Sequence, residues 1–430
     1  MKSIGARTWI SFLLIGLTGQ FAWTIENMYF NVYLYNTIST NPNHIAVMVA
    51  ASAVIATLTT LLMGALSDRI GKRKPLIVGG YLLWGLSTMS FGFITVENAG
   101  RWFPAANAVA VAAALVVVMD CVMTFFGSTA NDAAFNAHIT DVTGPENRGR
   151  VESVLAILPL ISMLVIFGLF DGMTRQGRWR EFFVIFGSIV LLAGAASLFL
   201  LRDGAITRQE GAYLPSLLYG FRPSVVRANV RLYLALAALG LFSVAVQVFF
   251  PYLIIYLQTY LQFENYAIVL GGVLIVASVV SVVFGRWLDR IGKLRCVLPA
   301  LAVMFAGLVL MYFARSMAFV FAAGAIMMSG YMLVTAVLSA VVRDYTPKDQ
   351  IGGFQGIRMI FAVLLPMVIG PFIGAAVIRG GAGTYEELGV VKSVPTPAIF
   401  LTAAAVLVVV IAPVLLLKKK ETGYVKEHLG

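Results

Sequence analysis

Charge is what this sequence has least of. Of its 430 residues only 12% are Asp, Glu, Lys or Arg, whereas 60% are hydrophobic. Soluble domains carry roughly twice that charged share, and a water-facing fold needs polar cover. A cytosolic enzyme and a secreted scaffold are thereby excluded. So is a nucleic-acid reader, despite the net charge of +11, because the basic residues sit in short loops and not along one face. Cysteine is nearly absent: Cys121 lies inside an apolar run and Cys296 at the edge of another, so no disulfide framework is expected. The three histidines show no metal-ligand spacing. There is no Walker loop and no Gly-x-Gly-x-x-Gly after a strand, so neither metal nor cofactor is expected. Nor is a cleavable leader, since the first apolar stretch far exceeds a signal-peptide core and lacks a small-residue cleavage site.

Long apolar runs take the place of all this, and mean hydropathy is +0.90. A membrane-crossing helix needs about 20 mainly apolar residues. Twelve such runs are expected, with cores near 9–35, 44–66, 75–96, 105–130, 151–171, 181–201, 232–258, 266–287, 295–314, 317–341, 354–378 and 396–417. Runs such as Ala398 to Leu417 are apolar on every side, unlike the alternating strands of a membrane barrel. The reading is an all-α membrane protein of twelve spans. With the N-terminus placed in the cytoplasm, 24 of the 31 Lys and Arg fall on the inside, which matches the positive-inside rule. Both termini are therefore expected in the cytoplasm, and the protein in the cell (inner) membrane. The cluster Arg175, Arg178 and Arg180 falls on the outer side against the trend. The longest polar gap separates a bundle of residues 1–201 from one of 231–430, with a cytoplasmic central loop at 202–230. Within it, Tyr213 to Arg227 reads either as an interfacial segment or as a plain linker.

The halves repeat one another. The loop after the second run reads Gly64-Ala-Leu-Ser-Asp68-Arg69-Ile-Gly71-Lys72-Arg73-Lys74-Pro75, and the loop after the eighth reads Gly285-Arg-Trp-Leu-Asp289-Arg290-Ile-Gly292-Lys293. A weaker pair starts at Asp141, running through Arg148, and at Asp344. Two halves with the same order and sidedness make a parallel repeat about an axis along the membrane normal. Gly64 permits close helix approach, Gly71 a tight reversal, and Pro75 opens the next helix. Arg69, Lys72, Arg73 and Lys74 hold the turn in the cytoplasm and can pair with neighbouring acids.

These loops resemble the signature loop of the major facilitator superfamily and its repeat. That resemblance covers almost the whole chain. It implies two six-helix bundles related by a pseudo-two-fold, rocking about a central cavity, with Asp68 latching against the start of the eleventh helix and Asp289 against the start of the fifth. The Asp141 and Asp344 loops also resemble the glycoside–pentoside–hexuronide cation symporters and related sugar carriers. This chain has no Asp or Glu in 44–66, where sodium-coupled members carry paired acids, so a proton is favoured over sodium.

Acids inside a span are expensive and mark function by default. Glu26 lies in the first run on a broad polar face with Trp23, Asn27 and Tyr33; its role is either ion or solute contact or a structural hydrogen-bond network. Asp120 starts a row continued by Thr124, Ser128, Asp132 and Asn136 at steps of four; it is read as functional or as a satisfied structural acid, and Asp132 as a gate. In the second half Tyr331, Thr335, Ser339 and Arg343 step likewise, and Gln247 precedes the break at Pro251. Arg358 either pairs with an acid of the first half or snorkels to the interface. The expected protein is no enzyme but a secondary active transporter, working as a monomer on a small polar, sugar- or glycoside-like solute by alternating access and proton symport. Trp23, Asn27, Tyr33, Gln247 and Tyr331 are candidates for solute binding, and Glu26 and Asp120 for coupling. The cytoplasmic gate is expected from Gly64, Asp68, Arg69, Arg73, Asp132, Asp141, Arg148, Asp289, Arg290, Asp344 and Arg358. The alternative is an efflux pump for amphipathic drugs or lipids.

Overall fold

The computed structural model describes residues 5–143, 151, 154–202, 219–347, 351–381, 384–387 and 390–429. Arg148 lies outside the described residues, as do the side chains of Asp289 and Arg290 and the segment 213–218 of the central loop. The chain divides into two compact units, Met1–Gly211 and Ala212–Gly430.

Among the described residues twelve helices are long and apolar enough to cross a membrane. The first unit holds Ala6–Thr37, Pro42–Ile70, Lys74–Phe93, Ala108–Val142, Leu158–Arg175 and Trp179–Leu200. The second holds Val230–Tyr260, Tyr266–Phe284, Lys293–Phe313, Met317–Tyr345, Gly356–Gly380 and Ala398–Glu421. The fold is all-α; a short antiparallel pair, Thr384–Glu387 with Val390–Ser393, lies in the connection between the last two spans. The fourth span runs to Val142, twelve residues beyond the run its hydropathy outlines. Its 35 residues at about 1.5 Å each reach ~52 Å, far more than the ~30 Å hydrocarbon layer. Its polar end, Asn136 to Thr140, is thus helix outside the apolar zone.

Lipid supplies no hydrophobic drive between helices, so spans are held by close packing. In the first unit the third span lies along the sixth at paired glycines. A Cβ on Gly85 would stand 2.6 Å from the Gly187 carbonyl oxygen. In the second unit the ninth lies along the tenth in the same manner, with a Cβ on Gly307 only 2.3 Å from the Met327 amide nitrogen. At the end of the first unit expected to face outward, a cluster of rings fills the core: Phe30 stacks on Phe91 at 4.0 Å and Trp179 on Phe183 at 5.9 Å.

The arginines that oppose the positive-inside trend have local partners. Arg175 Nε is 3.1 Å from Asp171, Arg178 pairs with Glu181, Arg101 pairs with Glu97 at 2.6 Å, and Arg180 lies over the Phe93 ring. Three of these four arginines thus have an acid within four residues, and the fourth rests on a ring.

Candidate functional site

The first span carries Glu26 on a π-turn, Ile25–Tyr29. Such a widened turn re-aims side chains and is frequent at functional positions. Glu26 is 8% exposed, and its Oε1 accepts a hydrogen bond of 2.9 Å from Thr124 Oγ1 on the fourth span. One turn before Thr124 lies Asp120, 1% exposed, with Ser52 of the second span as its hydroxyl partner. The charge of Asp120 reaches Glu26. Three spans of the first unit therefore bring two carboxyl groups into one buried cluster. Glu26 Oε2 and Asp120 Oδ1 have no hydrogen-bond partner, and neither does the indole Nε1 of the buried Trp84. Buried polar atoms are nearly always satisfied; these three lie in the same bundle. Among the described residues no Lys or Arg forms an ion pair with Glu26, Asp120 or Asp132.

Each step of four along an α-helix turns its face by about 40°. The row on the fourth span follows that drift: Asp120, Thr124 and Ser128 are buried, Asp132 half-buried and Asn136 exposed. A second π segment, Ser128–Phe135, lies in this path. There Asp132 accepts from Ser128 Oγ at 3.1 Å and from Asn131 Nδ2 at 3.4 Å. The Tyr81 hydroxyl lies 3.0 Å from Asn131 Oδ1 and 2.8 Å from the Ile15 carbonyl oxygen.

Trp23 is half-buried, its ring 5.0 Å from that of Trp84, and Gly127 gives both indoles their room. Asn27 is half-buried and donates to the Trp23 carbonyl at 2.8 Å. Tyr33 is buried. Its hydroxyl is engaged with the carbonyls of Phe91 and Ile94, and its ring packs on Trp179 and Phe183. In the second unit Gln247 is half-buried where the seventh span meets Gly370 of the eleventh, and Tyr331 stacks on Phe242 at 5.9 Å. The break at Pro251 is a short 3-10 turn, steadied by Tyr252 donating to the Pro371 carbonyl at 2.8 Å.

At the expected cytoplasmic end of the first unit, Gly71 takes φ 67°, the left-handed geometry the reversal needs. Gly64 is half-buried within the second span, and Arg69 is exposed. Arg73 is the hub. Its guanidinium donates to Ser67 Oγ at 2.6 Å, Asp68 at 2.6 Å and Asp141 at 2.9 Å. Burial works against its charge, but the hydrogen bonds it donates to Asp141 and Asp68 outweigh it and hold the group above the ordinary arginine range. The resemblance set Asp68 against the eleventh helix; within its own unit Asp68 is joined to Arg73. The second unit repeats the device more thinly: Gly292 has φ 97°, and Lys293 Nζ meets Asp344 at 2.6 Å. Arg358 is exposed, with Arg343 near it. Ser52, Trp84 and the role of Arg73 as hub were not legible in the sequence, since hydroxyls and indoles are common in spans and Arg73 is one of four basic residues in its loop.

Among the described residues no group of three His, Cys, Asp or Glu could hold a metal ion. Cys121 and Cys296 are unpaired thiols.

Comparison with solved structures places the fold. The chain superposes on an aspartate-to-alanine mutant of the nucleoside transporter NupG with a TM-score of 0.72 at 12% identity, covering 96% of this chain and 98% of that one. It superposes on a bacterial homolog of the human lysosomal transporter Spinster, inward-facing and unoccupied, with a TM-score of 0.73 at 11% identity, covering 97% and 98%. At such identities the likeness concerns the fold alone. No curated protein sequence matches the chain. The family profile described as Major Facilitator Superfamily matches residues 12–284 and again 265–428. Twelve spans in two repeated halves, with the signature loop in each, complete the case: the chain belongs to the Major Facilitator Superfamily, and it is a multi-pass membrane carrier, not an enzyme.

Proposed function

We propose that this carrier takes up a small polar, sugar- or glycoside-like solute together with a proton, by alternating access, in the cell membrane with both termini in the cytoplasm. The observation that carries the reading is the Glu26–Thr124–Asp120–Ser52 cluster, two buried carboxyl groups each with an oxygen unspent and no basic partner among the described residues. An ionised carboxylate in such surroundings is costly unless neutralised. A proton does this in the least space, and a carboxyl that must gain and lose one to be stable is what ties solute movement to a gradient. The acid-free stretch from His44 to Ser67 on the second span argues against a sodium site built on paired acids there. For the solute, Trp23 offers a half-buried indole and Asn27 an amide on the same helix as Glu26; Gln247 and Tyr331 are the candidates of the second unit. The polar rows favour this reading over an efflux pump for amphipathic drugs.

The test is uptake by proteoliposomes under an imposed pH gradient, screened over sugars and glycosides. Glu26→Gln and Asp120→Asn should abolish accumulation above equilibrium while solute exchange at equal pH continues. Undiminished gradient-driven accumulation in both variants refutes the coupling role.

A further inference from the structure

At the cytoplasmic end expected for the second unit, an open cavity of about 780 Å³ lies where the seventh span begins, beside the ends of the tenth and twelfth. Its walls bring together four cations, Arg227, Arg231, Lys419 and Lys420. A short helix, Pro223–Ala228, ends at Asn229, where φ −120° and ψ 36° break the helical path, so Arg227 and Arg231 flank the bend and line the same space. The Arg231 guanidinium lies over the Tyr345 ring at 5.5 Å. Two acids stand near, Asp344 and Glu421, the latter hydrogen-bonded to the Tyr345 hydroxyl. The four cations of the lining outnumber the two acids beside it, an excess of positive charge that suits an anion. The other half of the lining is apolar, and it opens outward: Leu416 is 54% exposed and Val230 37%. A floor of cations that runs into exposed aliphatic surface fits an amphiphile, with a phosphate held by the basic groups and chains laid along the span ends. A volume in this range is that of a ligand site.

We infer that this cavity is a binding site for an anionic phospholipid of the inner leaflet, its phosphate held by Arg227, Arg231, Lys419 and Lys420 and its acyl chains by the apolar rim at Val230 and Leu416. The site lies wholly within the second unit and is independent of the carboxyl cluster, so its occupancy is a property separate from the choice of solute. Commitment to a lipid over a free phosphate rests on that exposed apolar rim, which a soluble anion has no use for.

The probe is phosphatidylglycerol against phosphatidylcholine, offered to the purified full-length protein in detergent and read by native mass spectrometry. Wild type should retain phosphatidylglycerol selectively. A triple variant, Arg227→Gln with Lys419→Gln and Lys420→Gln, should bind it on the order of a hundredfold more weakly, at about fivefold for each basic group lost near an anionic headgroup. A control of equal charge loss elsewhere, Arg101→Gln with Arg178→Gln and Arg315→Gln, should retain it as wild type does. Equal retention by both triple variants, or equal loss in both, overturns the site. Displacement of the lipid by inorganic phosphate at millimolar concentration overturns its identity as a lipid site. Should the triple variant unfold in phosphatidylcholine micelles, Lys419→Gln alone decides, with roughly a fivefold loss expected and an unchanged affinity refuting the assignment.

Discussion

Removing Arg73 tests the hub of the first unit most directly. The side chain is 5% exposed and bridges Ser67 and Asp68, at the end of the second span, to Asp141, at the end of the fourth. Taking one partner from a buried ion pair costs about 3–5 kcal/mol, because the other charge is left uncompensated. Here Asp68 is 34% and Asp141 23% exposed, so water answers part of that cost, and about 2–3 kcal/mol is the reasonable expectation for Arg73→Gln. At a few degrees per kcal/mol for a unit of this size, the thermal midpoint in detergent should fall by about 5–10 °C. Arg73→Lys keeps the charge but cannot serve both carboxylates and the hydroxyl from one ammonium, so it should recover less than half of the loss. Adding Asp141→Asn to Arg73→Gln should cost little more, since one of the two carboxylates left unpaired is then neutral. Full additivity of the two substitutions, or a midpoint for Arg73→Gln within 2 °C of wild type, would show that the three contacts do not act as a unit.

The equivalent pair of the second unit should matter far less: Lys293 is 36% and Asp344 52% exposed, and Lys293→Gln is expected to shift the midpoint by under about 2 °C, as exposed pairs contribute 0–1 kcal/mol. Gly85→Ala should cost about 1–3 kcal/mol in the same melt, because the new methyl would meet backbone atoms of Gly187 and Leu191 at 2.6 Å; a neutral result would mean the third and sixth spans can separate freely. Tyr33→Phe should leave the KM for solute unchanged while lowering stability by about 1 kcal/mol, the worth of its hydrogen bonds to Phe91 and Ile94; a raised KM would keep it among the solute-binding candidates. Thr124→Val removes the donor to Glu26 Oε1 and should impair gradient-driven accumulation more than equilibrium exchange, read in the same proteoliposomes.

Much of the architecture could be read in the chain because lipid allows so few solutions. Hydropathy alone outlined the spans, and the doubled Asp-Arg-Ile-Gly-Lys loop revealed the repeat. Hydropathy alone stops short where helices leave the hydrocarbon: the fourth span runs on through Asn131, Asp132 and Asn136, where the step-of-four spacing and not apolarity marks the helix. The step-of-four row from Asp120 to Asp132 was legible because a helix turns predictably. Periodicity places a residue on a face but not at a depth: Tyr33 shares the first helix with Glu26 but lies two turns along it, among rings and backbone carbonyls. The latch of the first unit was visible as charge, but which of four basic residues would be buried was not, since that depends on how the second and fourth spans converge.

The two units divide the work unequally, and the division bears on mechanism. Spans of the first unit bury Glu26, Asp120 and Asp171 and half-bury Asp132. The spans of the second unit contain Asp344 and Glu421 alone among acids, each at a span's last turn, and none in the apolar interior. Titratable chemistry inside the membrane is therefore a property of the first unit. The second offers amide, phenol and stacked rings at Gln247 and Tyr331, groups that keep one charge state through any gradient. The two repeated halves thus differ: the spans of one bury carboxyl groups and those of the other do not. Under the proposed mechanism, carboxyl-neutralising substitutions in the first unit should change how transport depends on pH, whereas Gln247→Ala and Tyr331→Phe should change the KM for solute and leave that dependence as it is. A shift in pH dependence from either second-unit substitution would refute this division.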